Sequence, residues 1–219
     1  MKRLMVLCLF LCLLFGCSPK IPDYRSIMIS NMRFPEDILY VGATEPIIRI
    51  NSYEMISEDR EVFSSGTGFI IERNKKRFLV TAYHVIQGST RIQYFTHDYK
   101  KLSIELGKVY LIPNMDSVVA ELIFCSATVK PLKMGKYIQD GTVTTSGFPH
   151  GGEFKQYKGI NFVSRIESTA IVEVGMSGGP VFDQDGNVIG IISAKTLGGG
   201  PIKSLFSRLE DVFDGLDHK

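Results

Sequence analysis

Polar and apolar positions alternate in short runs along most of the chain. Ala170, Val172 and Val174 stand against Thr169, Ile171 and Glu173, the period of two that sends successive side chains to opposite faces of a strand. Similar runs, separated by turn residues, predict strands at 46–50, 66–71, 77–81, 90–96, 102–112, 116–122, 141–146, 156–163, 168–174, 180–182 and 187–194. No long helical pattern interrupts them, which indicates a sandwich or barrel. The period changes after Gly198-Gly199-Gly200-Pro201, where Ile202, Leu205, Phe206, Leu209, Val212, Phe213 and Leu216 recur at helical spacing. A C-terminal helix is therefore predicted over about 201–214, with Pro201 in its first turn. The connector at 126–140 carries Pro131 and Gly135 among lysines 130, 133 and 136, and it divides the strands into two β subdomains, about 46–125 and 135–200. Its lysines read as a solvated surface.

The first 45 residues follow other rules. Met1-Lys2-Arg3 precedes an apolar run from Leu4 to Phe15, shorter than the roughly 20 residues a helix needs to cross a bilayer. These are the proportions of a signal peptide, expected over 1–16. The run ends Leu14-Phe15-Gly16-Cys17, which resembles the lipobox of bacterial lipoproteins and so implies a lipid on Cys17. Phe15 departs from that pattern, which prefers a smaller residue there; ordinary secretion or an uncleaved anchor is the competing reading. Ser18 is not the aspartate that retains lipoproteins at the inner membrane, which leans the expectation towards an outer membrane. Residues 17–45, with prolines at 19, 22 and 35 and apolar pieces such as Ile27-Met28-Ile29, read as a tether that partly packs on the body.

Composition narrows the classes. With 219 residues, 44% of them hydrophobic and 22% charged, the chain can bury a sizeable core as one domain or two small subdomains. Lys2 and Arg3 account for the formal charge of +2, and without them 23 basic residues balance 23 acidic ones. A neutral mature protein offers no electrostatic case for nucleic acid. Of the four cysteines, Cys8 and Cys12 leave with the signal and Cys17 is assigned to lipid. Cys125, in Leu122-Ile123-Phe124-Cys125, has no partner for an intramolecular disulfide and reads as a buried, inert thiol.

Candidate chemistry centres on Gly175-Met176-Ser177-Gly178-Gly179-Pro180. A serine hydroxyl needs a base to take its proton and N–H donors to hold the oxyanion that forms on an attacked carbonyl. The glycines allow a sharp turn with bare N–H groups, and Pro180 favours a turn leading into a strand over a continuing helix. A Gly-rich turn with an incidental serine is the plainer alternative. Only four histidines are available as bases. His84 follows the apolar run Leu79-Val80-Thr81-Ala82-Tyr83 and could equally be a satisfied core residue; His97 and His150 look like loop residues, and His218 is at the end of the chain. For a carboxylate to orient the imidazole, Asp116 opens the apolar strand Ser117-Val118-Val119-Ala120, where an Asx turn is the alternative; Asp98 lies in polar surroundings that suggest a hairpin tip.

Taken together, the order His84, Asp116, Ser177 on short strands resembles that of chymotrypsin-fold serine proteases, and more narrowly the HtrA-like bacterial branch. Gly66-Thr67-Gly68-Phe69-Ile70-Ile71 is similar to the strand before the histidine segment, Gly147-Phe148-Pro149 to a glycine-x-proline of the second barrel, and Val188-Ile189-Gly190-Ile191-Ile192-Ser193 to the strand lining the substrate cleft. The resemblance implies an all-β fold of two six-stranded-type β-barrels packed together, with a C-terminal helix, as a protease domain over 46–214. It implies a serine endopeptidase with His84, Asp116 and Ser177 catalytic, Gly175 and Ser177 N–H groups forming the oxyanion hole, and Ser193, Ala194 and Lys195 along the substrate. Ser193 is also expected to hydrogen-bond a buried Asp116. No metal or organic cofactor is implied. The expected partners are a peptide or unfolded-protein substrate and, through Cys17, the membrane of a bacterial cell envelope on its periplasmic or extracytoplasmic face.

The departures count as well. Met176 stands where cleavage-activated trypsins carry an aspartate that pairs with a freed N-terminus, and Ile171 stands where trypsin carries its pocket carboxylate. After the predicted helix the expectation is a protease domain alone, without the PDZ domain that HtrA relatives usually carry. An α/β-hydrolase also satisfies Gly175-x-Ser177-x-Gly179, but it places its acid and histidine after the serine, where only His218 follows. A non-catalytic or partner-activated lipoprotein that keeps the fold as a peptide-binding module is the remaining alternative.

Overall fold

Asn74 and Lys75 both adopt positive φ (52° and 63°), the geometry of a two-residue hairpin turn matched to strand twist. They join β2 (Arg60–Arg73) to β3 (Lys76–Ala82), and β1 (Ile47–Ser57) pairs along the other edge of β2. With β4 (Arg91–Phe95), β5 (Lys101–Leu102), β6 (Ile104–Ile112) and β7 (Ser117–Cys125) they make a curled antiparallel sheet in the order β5-β4-β1-β2-β3-β7-β6. A second sheet holds β8 (Thr142–Gly147), β9 (Lys155–Ile160), β10 (Glu167–Ser168), β11 (Pro180–Phe182), β12 (Val188–Lys195) and β13 (Ser204–Arg208), in the order β10-β13-β12-β11-β8-β9. This is the double half-barrel of the chymotrypsin type. The structure, a computed structural model, describes residues 46–58, 60–137, 141–161, 167–195 and 204–217. The signal peptide, Cys17, the tether, His218 and the Gly198–Pro201 turn lie outside the described residues.

Period-two alternation works here with both faces buried. Ile48, Ile50, Ile70 and Leu79 fill the first sheet's interior, while their neighbours Ile47, Phe69, Ile71 and Val80 turn the other way. There they meet Phe148, Phe182, Val188 and Ile191 of the second sheet in a shared core. A third cluster, with Val143, Val181, Ile189 and Ile192, fills the second sheet. The connector is stitched to both: Leu132 bridges Ile71 and Met134 bridges Val188, each in parallel.

Four local expectations change. The first sheet has seven strands among the described residues, because the strand expected at 102–112 divides at Ser103 into β5, which pairs with β4, and β6, which pairs with β7. The strand expected at 168–174 shrinks to Glu167–Ser168; Ala170 and Val172 remain buried, but the chain there crosses closely over Gly159, whose added Cβ would lie 2.0 Å from the Ala170 nitrogen. The helix starts at Leu209 and not near 201. Ser204–Arg208 instead pairs with β12, where ladder hydrogen bonds outweigh a pattern compatible with either state. The helix proper, α2 (Leu209–Asp217), buries Leu209, Val212 and Phe213 in the shared core with Leu216 packed against them. Cys125 is only partly buried, at the end of β7 where the edge of the first core meets solvent.

Candidate active site

Strand register brings histidine and aspartate together. Ala82 of β3 faces Ser117 of β7, so the residues just beyond those strand ends become neighbours. On one side is α1 (Tyr83–Ile86), which carries His84; on the other is Asp116, after a 3-10 turn at Pro113–Met115. His84 Nδ1 donates to Asp116 Oδ2 at 2.7 Å, and the His84 main-chain N–H donates to Asp116 Oδ1 at 3.0 Å. Tyr83 N–H adds a bond to the Asp116 carbonyl at 3.0 Å. Asp116 itself has φ 47°, a left-handed conformation that is uncommon outside glycine and tolerated best by Asn and Asp. With Nδ1 committed to the carboxylate, Nε2 is the nitrogen left to exchange a proton. The His84 side chain is 44% exposed and that of Asp116 31%, so Asp116 is not the buried aspartate that was expected.

The main chain just before Asp116 is secured by hydroxyls. The Met115 carbonyl accepts from Ser117 Oγ at 2.8 Å and from Ser207 Oγ on β13. Ser193 shares a 3.3 Å hydrogen bond with Ser207. Its hydroxyl is thus linked to the main chain beside Asp116 through Ser207, and not to the carboxylate as the resemblance implied. A bulge explains the offset: the β12–β13 register shifts between Ile192 and Ala194, and Ser193 is the extra residue.

The Ser177 turn docks on the first sheet. Gly178, at φ +83°, has no room for a side chain, since a Cβ there would lie 2.2 Å from the Thr67 carbonyl and 2.7 Å from the Ala82 nitrogen. The nucleophile candidate is therefore one residue from a glycine pressed against the end of β3, where α1 begins. Gly178 N–H donates to the Ile192 carbonyl at 2.7 Å, and Gly179 N–H to the Met176 carbonyl at 2.9 Å. Among the described residues, the N–H groups of Gly175 and Ser177 have no main-chain acceptor, and the Ser177 hydroxyl forms no hydrogen bond to His84. Such contacts often tighten only when substrate is bound.

Further residues, not expected at the site from the sequence, hold the turn. His150 N–H donates to the Val174 carbonyl at 2.6 Å, Tyr157 OH donates to Glu173, and His150 Nε2 lies 3.5 Å from Glu173 Oε2. Burial, and then the Glu173 hydrogen bond, push the Tyr157 phenol well above its ordinary pKa, so it stays a donor. Met176 is fully buried in the second core, filling with methylene and sulfur the position where a charged residue would need a partner. Beyond Ile191, which pairs with Pro180 of β11, Ser193, Ala194 and Lys195 have β13 on one side and no paired strand on the other among the described residues. Asp98 belongs to the β4–β5 turn, where Lys100 and Thr96 lower its carboxyl to about 2, far from His84 in role. Among the described residues no group of three or more His, Cys, Asp or Glu side chains is placed to hold a metal.

Residues 66–191 match the trypsin-like peptidase domain family. The chain belongs to this family. The matched stretch of the trypsin-like domain begins at the β2 glycine that precedes Thr67 and ends in β12, so it spans His84, Asp116 and Ser177. The domain is 28% identical over 148 residues to a probable periplasmic serine endoprotease, DegP-like, of Hahella chejuensis, covering 61% of this chain and 30% of that protein. The corresponding protein of Chlamydia muridarum is 27% identical over 149 residues, 62% of this chain and 29% of its own. The anti-sigma-I factor RsgI9 of Acetivibrio thermocellus is 28% identical over 166 residues, 67% of this chain and 21% of that protein. The chain thus spans less than a third of the length of each of these relatives.

Proposed function

We propose that the protein is a serine endopeptidase acting on exported or envelope proteins. The observation that carries this reading is the 2.7 Å His84–Asp116 pair at the end of β3, beside a Ser177 turn whose Gly175 and Ser177 N–H groups are uncommitted. Ser177 Oγ attacks the peptide carbonyl as His84 Nε2 takes its proton, and the two N–H groups receive the oxyanion. His84 then returns the proton to the leaving amine, and water, deprotonated by the same nitrogen, releases the acyl group. Asp116 keeps Nδ1 protonated throughout. The open edge at Ser193–Lys195 suits an extended substrate backbone added as a strand. Buried Met176 supports a turn that forms without pairing to a freed N-terminus. Periplasmic names among the relatives, together with the lipobox-like Cys17, support an envelope site with a lipid anchor.

A fluorophosphonate probe should label the protein covalently, and Ser177→Ala should abolish labelling. Labelling that survives the substitution overturns the assignment. A second reading, a partner-regulated peptide-binding module, is favoured by the match to an anti-sigma factor. Absence of labelling until a candidate partner is added would favour it.

A further inference from the structure

Thr67 is fully buried on β2, yet every polar atom it owns is hydrogen-bonded, its N–H and hydroxyl across the seam to the second half of the chain. Its N–H donates to the Ser177 carbonyl at 2.8 Å, and its hydroxyl donates to the Gly175 carbonyl at 2.8 Å. The same hydroxyl oxygen accepts from Phe148 N–H at 3.1 Å, and the Thr67 carbonyl accepts from Thr81 Oγ1 at 2.7 Å. One residue of the first sheet thus grips both ends of the Gly175-Met176-Ser177 tripeptide.

We infer that the Thr67 hydroxyl is a positioning residue for the oxyanion hole, an inference that rests on the reading of Ser177 as nucleophile. The argument comes from peptide planarity, because fixing a carbonyl fixes the N–H on the other side of the same plane. Three consecutive peptides matter. The Val174–Gly175 peptide is fixed through its carbonyl by His150 N–H, and the Met176–Ser177 peptide through its carbonyl by Gly179 N–H. The peptide between them sets the angle at which the two outer N–H groups converge. Its N–H reaches the Glu173 carbonyl at 3.0 Å, and its carbonyl is the one the Thr67 hydroxyl holds. Gly175, at φ +94° and without a Cβ, offers little resistance of its own to rotation of this peptide. The hydroxyl also ties it to Phe148, whose carbonyl would lie 2.5 Å from a Gly175 Cβ. Gly147 completes the fit, because a Cβ there would meet Thr67 Oγ1 at 2.8 Å and Met176 Cα at 2.9 Å.

The test is Thr67→Val, which keeps the shape and the main-chain N–H while removing the hydroxyl. Peptide hydrolysis should lose about tenfold or more in kcat with KM within twofold, affinity for a peptide boronate should fall in parallel, and Thr67→Ser should restore both. Hydrogen exchange at the Met176 amide, read in the same variants, should accelerate in Thr67→Val and recover in Thr67→Ser. Unchanged kcat and unchanged exchange in a folded Thr67→Val overturn the inference. If that variant does not fold, Thr67→Ala, which also removes the hydroxyl and keeps the main-chain N–H, carries the same expectations and the same overturning result. Failure of the underlying reading looks different: labelling that persists in Ser177→Ala, whatever the exchange at Met176.

Discussion

Asp116 combines a left-handed backbone with two carboxylate bonds, one to the His84 ring and one to the His84 main chain. Asparagine tolerates the same conformation and can still accept from the main-chain N–H, so Asp116→Asn should fold. Its amide, however, cannot favour an imidazolium, and an amide NH₂ facing Nδ1 selects the wrong tautomer. Steady-state peptide hydrolysis by this variant should drop by about 10⁴ in kcat, as expected for loss of the orienting carboxylate. A drop of less than tenfold would remove Asp116 from the mechanism. At this scale the sequence was readable where chemistry is carried by rare residue types: one serine in GxSGGP and one histidine after an apolar run. It was silent on Thr67, whose hydroxyl partners lie 81 and 108 residues away, and on Ser207, which reads as part of a helix. A hydroxyl's role depends on what folding brings to it, and neighbours in sequence carry no trace of that.

Among the elements, α2 shows how much a short segment contributes. Leu209, Val212, Phe213 and Leu216 fall at i, i+3, i+4 and i+7, and Glu210 and Asp211 sit in the first turn, where carboxylates favour the helix dipole. Phe213 packs edge-on against Phe78 at 5.5 Å between centroids, joining the helix to the first sheet. Phe213→Ala should cost about 3–5 kcal/mol, seen as a lower denaturation midpoint at unchanged m. Most strands could be placed from alternation because most of their inward positions are apolar. Where the alternation persists without a ladder partner, as at Ala170 and Val172, periodicity misleads, since it reports burial and not hydrogen bonding. Ser204–Arg208 fails in the opposite sense: its apolar positions also fit a helix, and only the adjoining edge of β12 decides.

Over the whole molecule, the two sheets share a core, and that core makes them one cooperative body. Ile71 and Leu132 from one side meet Phe182 and Val188 from the other, so exposing either sheet strips apolar surface from its partner. Ile70→Ala, inside the first sheet, and Ile192→Ala, inside the second, should therefore each lower the midpoint of a single transition, coincident by far-ultraviolet circular dichroism and tyrosine fluorescence. Two separated transitions would show that the sheets unfold independently. The overall plan, two β subdomains joined by a connector, was legible because turn residues and strand lengths record it. The stitching of that connector to both sheets was not, as isolated parallel bridges have no pattern of their own.

The seam also sets a timetable for biosynthesis. His84 and Asp116 belong to the half made first, Ser177 to the half made last, and the strand that carries Ser193 needs β13 beside it. A nascent chain that has emerged only as far as the serine lacks the β13 and α2 segments on which the second sheet closes. If Ser177 is the nucleophile of an exported protein, its activity is then withheld until residues 204–217 have also crossed the membrane and folded, so that a chain still in transit cleaves nothing on either side.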